Sequence, residues 1–240
     1  MEGGTNPGLG SVESAEGPAA PSISAFQSLV GVFANPRKTF EAMAAKPRFL
    51  LPMVLVLLAH AAFVAVIVQS GVVRNDTLAK LEAQGKAPEV VEAMEKFFDS
   101  PAAMVIVPTT AVVVIAFVML LYAALVFFLG NLMLGGRLTY KQYLSVVAHS
   151  TVLGLVGNAV RASLAVAKGT MDIRLGAGNL LGEDPSFLVR FVDSITNPLA
   201  LWPAAVMALG VSVLAKKSFS FGVMAVLPAF LLISLIFGPG

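Results

Sequence analysis

Hydrophobic residues in this chain fall into long unbroken runs, separated by short polar stretches. Residues 49–71 form the first run, about 23 positions without a charge. A helix rises 1.5 Å per residue, so this run crosses a hydrocarbon core of about 30 Å. Residues 102–134 are also uncharged, but a straight helix of that length exceeds a bilayer. Either the helix tilts or Pro108 marks its true start, which places the second span at about 108–134. Three more runs follow, at about 142–167, 199–215 and 219–237. The pattern predicts an all-α, polytopic integral membrane protein with five transmembrane helices, in a membrane domain over 23–240.

Between the runs the periodicity changes. Phe26, Leu29, Val30 and Phe33 recur at helical spacing. Asn35-Pro36 reads as a helix cap followed by proline at the first helical position. Phe40 and Met43 then share one side, surrounded by Arg37, Lys38, Lys46 and Arg48. A short basic amphipathic segment of this kind suits the membrane interface, where cations meet anionic headgroups. Its alternative is a soluble helix packed on a cytoplasmic partner. Residues 72–101 are a hydrophilic insert, with Pro88 opening an amphipathic helix through Phe98. Residues 185–192 suit a short surface helix. Residues 1–22, rich in Gly, Pro, Ser, Ala and Glu, do not read as a signal peptide and are expected to be a disordered tail.

Composition agrees with this picture. The 240 residues are 57% hydrophobic and 12% charged, with mean hydropathy +0.85. A soluble domain carries about 25% charged residues. A net charge of +2 is too small to argue for nucleic acid. The absence of cysteine excludes disulfides, thiolate nucleophiles and Cys-ligated metals.

The charges that remain set an expected topology. Residues 23–48 hold four basic residues and one acid, and the turns at 137–141 and 216–217 each hold two basic residues and no acid. The two long loops on the other side carry ten acids and seven basic residues. Short basic loops stay cytoplasmic, so the N-terminus is expected in the cytoplasm and the C-terminus outside. No inverted repeat of the transporter kind is visible.

The third run is the chemically richest. It carries His149, Ser150, Gly154, Gly157, Asn158 and Arg161. Polar groups in a bilayer need partners, so this helix is expected inside the bundle, with its small residues serving helix packing. No predicted span holds Asp or Glu. Arg161 must therefore snorkel, pair with a loop acid such as Asp172 or Asp193, or hold a lipid phosphate. Arg161, Asn158 and His149 are the candidate ligand- or lipid-binding residues. His60, near the middle of the first run, is expected as a neutral imidazole bonded to a neighbouring helix. Two histidines without a third ligand make a weak metal signal, and no metal or cofactor is expected. There is no H-E-x-x-H, no G-x-S-x-G and no aspartate pair within a span. The missing intramembrane carboxylate argues against an acid-coupled pump.

Three stretches carry a family resemblance: N-P-R-K-T-F-E-A-M-A-A-K-P at 35–47, L-G-G-R-L-T-Y-K-Q-Y-L-S-V-V-A-H-S at 134–150, and L-W-P-A-A-V-M-A-L-G-V-S at 201–212. Together they resemble the Yip domain family, in its bacterial-type branch, over roughly residues 25–237. These are five-span proteins related to the eukaryotic Ypt/Rab-GTPase-interacting membrane proteins. The resemblance implies five helices, a cytoplasmic N-terminus and a bacterial inner membrane. Eukaryotic members are associated with vesicle trafficking. Their D-L-Y-G-P type motif is absent here, and no catalytic residue carries over. The expected function is a non-enzymatic scaffold or adaptor in membrane organisation or trafficking, in contact with the bilayer and with a membrane or cytoplasmic protein. Its contact residues would be Arg37, Lys38, Lys46, Arg48, Arg137 and Lys141. The alternative is a lipid or small-solute transporter with a polar path around the third span.

Overall fold

Length and apolarity make five helices capable of crossing a bilayer, and in the computed structural model these five build one bundle. The structure describes residues 23–182 and 186–237. The expected tail at 1–22 lies outside the described residues. In chain order the helices are α1 Ala25–Ala34, α2 Pro36–Met43, α3 Leu50–Gln69, α4 Val72–Ala83, α5 Pro88–Asp99, α6 Ala103–Phe127, α7 Tyr140–Lys168, α8 Phe187–Thr196, α9 Pro198–Ala215 and α10 Phe219–Phe237. A π-helical turn, Phe128–Met133, extends α6, and a 3-10 turn, Ala177–Leu181, precedes α8. Among the described residues there is no strand. The bilayer-length helices are α3, α6 with its extension, α7, α9 and α10.

α7 is the central element. In its most apolar window 56% of residues are buried, against 17% for α3 and for α6. Residues 143–150 are all buried, and α7 as a whole packs against α1, α3, α6 and α9. Thr139 and Gln142 close a capping box at its start, and Gly169, at φ 69°, ends it. In lipid, apolar burial gives helices little reason to associate, so close backbone approach and polar contacts take over. Two glycines of the α9–α10 hairpin show this. A Cβ at Gly222 would strike the Ala208 carbonyl. A Cβ at Gly210 would lie 2.8 Å from the Phe40 ring and from Val146. The other side of the bundle is a belt of exposed apolar side chains, including Leu58, Val105, Val113, Phe117 and Leu132. Water does not tolerate a patch of that size, and lipid does.

Two elements differ from the sequence reading. The second bilayer-length helix begins at Ala103, ahead of the expected start at Pro108, and Pro108 lies buried inside it. Proline there removes one hydrogen bond to the preceding turn, and neighbouring helices make such a loss tolerable in membrane proteins. Secondly, the hydrophilic insert holds two helices, α4 and α5. Arg74 on α4 bonds both Glu95 and Asp99 on α5, the latter at 3.1 Å. Desolvation works against the Arg74 charge, but the hydrogen bonds and charges of Asp99 and Glu95 outweigh it and raise its pKa.

Alternation of the five long helices gives the bundle two ends. Arg37, Lys38, Lys46, Arg48, Arg137, Lys141, Lys216 and Lys217 lie at one end, with Glu41 the sole acid there among the described residues. We call it the basic face. α4, α5, α8 and the loop before α8 form the acidic face.

Candidate functional site

On the basic face, α2 is set by its apolar side. Asn35 accepts from the Lys38 N–H and Pro36 opens the helix. Phe40 and Met43 are buried in the bundle, so the side expected to meet lipid instead packs on α9. Phe26, Val30 and Phe33 of α1 are the exposed apolar side of this region. Gln142 Nε2 donates to the Ala44 carbonyl at 3.2 Å, and Ser145 Oγ donates to the Arg48 carbonyl at 3.0 Å. These bonds fix the chain between α2 and α3 onto α7.

The result is a groove of about 750 Å³ between α2 and the α9–α10 turn, lined in part by Arg37, Glu41, Ser212, Lys216, Lys217 and Phe219. Arg37 Nε donates to Glu41 at 3.2 Å, and both groups are exposed. An exposed pair of this kind contributes at most about 1 kcal/mol. Lys216 takes the left-handed conformation, φ 53°, to close the turn. Lys38, Lys46, Arg137 and Lys141 are exposed and Arg48 half-buried. None of these five lines the groove, so of the six expected contact residues the groove includes Arg37 alone. Lys216 and Lys217 were absent from that set. Their signal was two lysines in the shortest turn between two spans.

Towards the acidic face, two cavities meet at Arg161. The first, about 380 Å³, lies between α4, α7, α8 and the loop before α8, and its charged lining includes Asp76, Lys80, Asp172, Arg174, Arg190 and Asp193. The second, about 350 Å³, is a cleft between α6, α7, α9 and α10 lined by Gly154, Gly157, Asn158, Ala200, Met207 and Phe230 among others. Arg161 lines both. The expected acid partners of Arg161 are engaged elsewhere. Asp172 bonds Arg174 at 2.8 Å. Buried Asp193 accepts the Leu175 and Gly176 N–H groups at 3.3 and 2.7 Å. Asp76 holds Lys80 at 2.9 Å. Neither Arg161 nor Arg190 makes a hydrogen bond or ion pair with a described residue, and Arg190 Nε is buried. The hydroxyl of Tyr122, which lines the cleft, is also buried without a partner among the described residues.

Arg161 and Asn158 thus share a cleft, and His149 does not join them. The His149 ring is fully buried, with Nδ1 2.8 Å from the Ser145 carbonyl and Nε2 3.0 Å from Ser28 Oγ. It fastens α1 to α7. His60 Nδ1 is buried and has no hydrogen-bond partner among the described residues, unlike the bonded imidazole expected. No group of three His, Asp or Glu side chains suited to a metal occurs among the described residues.

Comparison with curated proteins finds no match, and comparison with solved structures finds none. The Yip1 domain family model, by contrast, matches residues 30–238. That stretch contains both the groove and the two cavities, and it includes all five bilayer-length helices. The chain is therefore a multi-pass membrane protein belonging to the Yip1 domain family.

Proposed function

We propose that this protein is a non-enzymatic scaffold of a bacterial inner membrane, with its basic face in the cytoplasm. Its groove between α2 and the α9–α10 turn would dock an acidic segment of a protein partner. The groove itself is the observation that carries this reading. Arg37, Lys216 and Lys217 converge on one concave site, although nearly 180 residues separate Arg37 from the two lysines in sequence. Opposed charges steer encounter and select the partner. Family membership supports a role in membrane organisation or trafficking.

The test uses the full chain in its native membrane. A photo-crosslinking residue replaces Ser218, at the groove, or Glu92, on the acidic face. A discrete adduct at Ser218, absent at Glu92 and lost with Arg37→Glu and Lys217→Glu together, is the expected result. Adducts that ignore the charge reversal would remove the groove from the function.

A further inference from the structure

Two arginines of the acidic face, unpaired among the described residues, call for a ligand of their own. Four cations and three carboxylates line the charged cavity. Asp76 is held by Lys80, Asp172 by Arg174, and Asp193 by backbone N–H groups. What remains is Arg161 and Arg190, facing one cavity from α7 and α8. A buried N–H without an acceptor is costly, and Arg190 Nε is in that state on an otherwise half-buried side chain.

The walls are built to stay in place. The loop before α8 is laced to that helix by Asp193 and by Thr196, whose Oγ1 accepts the Ala177 N–H at 2.8 Å. A Cβ at Gly178 would lie 2.6 Å from Asp193 Cβ, so the loop lies tight against α8. Beyond Arg161 the cleft turns apolar, with Met207 and Phe230 in its wall. Asn158, one helical turn before Arg161, also lacks a described partner and lines that cleft.

We propose that Arg161 and Arg190 bind a phosphate group at the acidic face, with Asn158 donating a further hydrogen bond. Guanidinium is the side chain best matched to phosphate, through paired, charge-assisted bonds. The phosphate belongs either to a phospholipid, whose acyl chain occupies the cleft between α6, α7, α9 and α10, or to a free phosphate ion. The site lies at the opposite end of the bundle from the groove and does not depend on it.

The experiment starts from the full chain, delipidated in detergent. Phosphatidylglycerol is titrated and followed by native mass spectrometry, and inorganic phosphate is titrated and followed by ³¹P NMR line broadening. One phosphatidylglycerol is expected per chain. Arg161→Gln and Arg190→Gln should each weaken it about tenfold or more, and Arg137→Gln, on the other face, should not. Ala200→Leu narrows the cleft, so it should weaken the lipid and spare inorganic phosphate. Line broadening by phosphate without lipid binding would assign the site to the free ion. Wild-type protein that binds neither would overturn the proposal, and that arm needs no variant to fold. Equal lipid retention in wild type, Arg161→Gln and Arg190→Gln, with no phosphate effect, would overturn it too.

Discussion

The Tyr143 hydroxyl donates to Asn131 Oδ1 at 2.9 Å, tying the centre of the bundle to the turn that precedes it. The same Asn131 accepts the Leu138 N–H at 3.2 Å and donates to the Leu138 carbonyl at 2.6 Å. One side-chain amide thus closes the Gly135-Gly136 turn and orients α7. Asn131→Leu removes all three bonds while keeping the branched side-chain skeleton. It is expected to destabilise the protein by about 2–4 kcal/mol, at about 1 kcal/mol per bond. Tyr143→Phe removes one bond and should cost about 1 kcal/mol. Thermal unfolding in detergent measures both, and equal effects of the two variants would show that Asn131 does not close the turn.

Gly222 and Gly154 make a matched pair. At Gly222 a Cβ would meet the Ala208 backbone, which cannot rotate away. At Gly154 the nearest atom is Pro203 Cγ, 3.8 Å from the Cβ position, an ordinary contact. Gly222→Ala should therefore destabilise the α9–α10 hairpin by at least about 2 kcal/mol. Gly154→Ala should be neutral or stabilising by up to about 1 kcal/mol, because alanine favours helix. Unfolding midpoints of the two variants decide this. A harmless Gly222→Ala would mean the hairpin is packed less closely than described.

How far the sequence disclosed these features depends on their range. The five long helices were legible because bilayer length is a local property of a run of side chains. The burial of α7 was legible because Ser150, Asn158 and the glycines have no reason to face lipid. Pro108 misled because proline reads as a helix start in isolation, whereas neighbouring helices let it stay inside one. Phe40 and Met43 were seen as an apolar side, but nothing local says whether it meets lipid or protein. That was decided by Gly210, about 170 residues away. The groove escaped for the same reason: Arg37 and Lys217 are brought together by the packing of α2 on α9. Arg161 was identified from sequence as a cation in need of a partner. Arg190 was not, because α8 reads as a surface helix until the loop folds onto it.

His149 gives a third test. Its Nδ1 faces a carbonyl oxygen, which accepts only, so Nδ1 carries the proton. Nε2 then lacks a proton and faces Ser28 Oγ at 3.0 Å as an acceptor, and the Ala25 carbonyl, 2.7 Å from the same hydroxyl, shares its single proton. His149→Leu or Ser28→Ala should release α1 while the five-helix bundle persists. Hydrogen exchange of the α1 amides is expected to accelerate about tenfold, the loss of about one strong hydrogen bond, with α9 and α10 unchanged. If α1 exchanges at the wild-type rate in both variants, its docking rests on Val32 and Gly31 packing alone.

Orientation in the membrane decides whether the groove reaches cytoplasmic partners. Because the chain has no cysteine, a single introduced thiol reports one position. Lys217→Cys marks the basic face and Glu92→Cys the acidic face, and both native side chains are exposed, so neither substitution disturbs packing. The basic face holds its cations within short connections, where positive charge governs retention in the cytoplasm. A membrane-impermeant maleimide should therefore label Glu92→Cys on intact spheroplasts and Lys217→Cys only in inverted vesicles. The opposite pattern would turn the molecule over, place the groove outside and end the case for a cytoplasmic partner. It would leave the Arg161–Arg190 site standing, since phosphate headgroups lie on both surfaces of a bilayer.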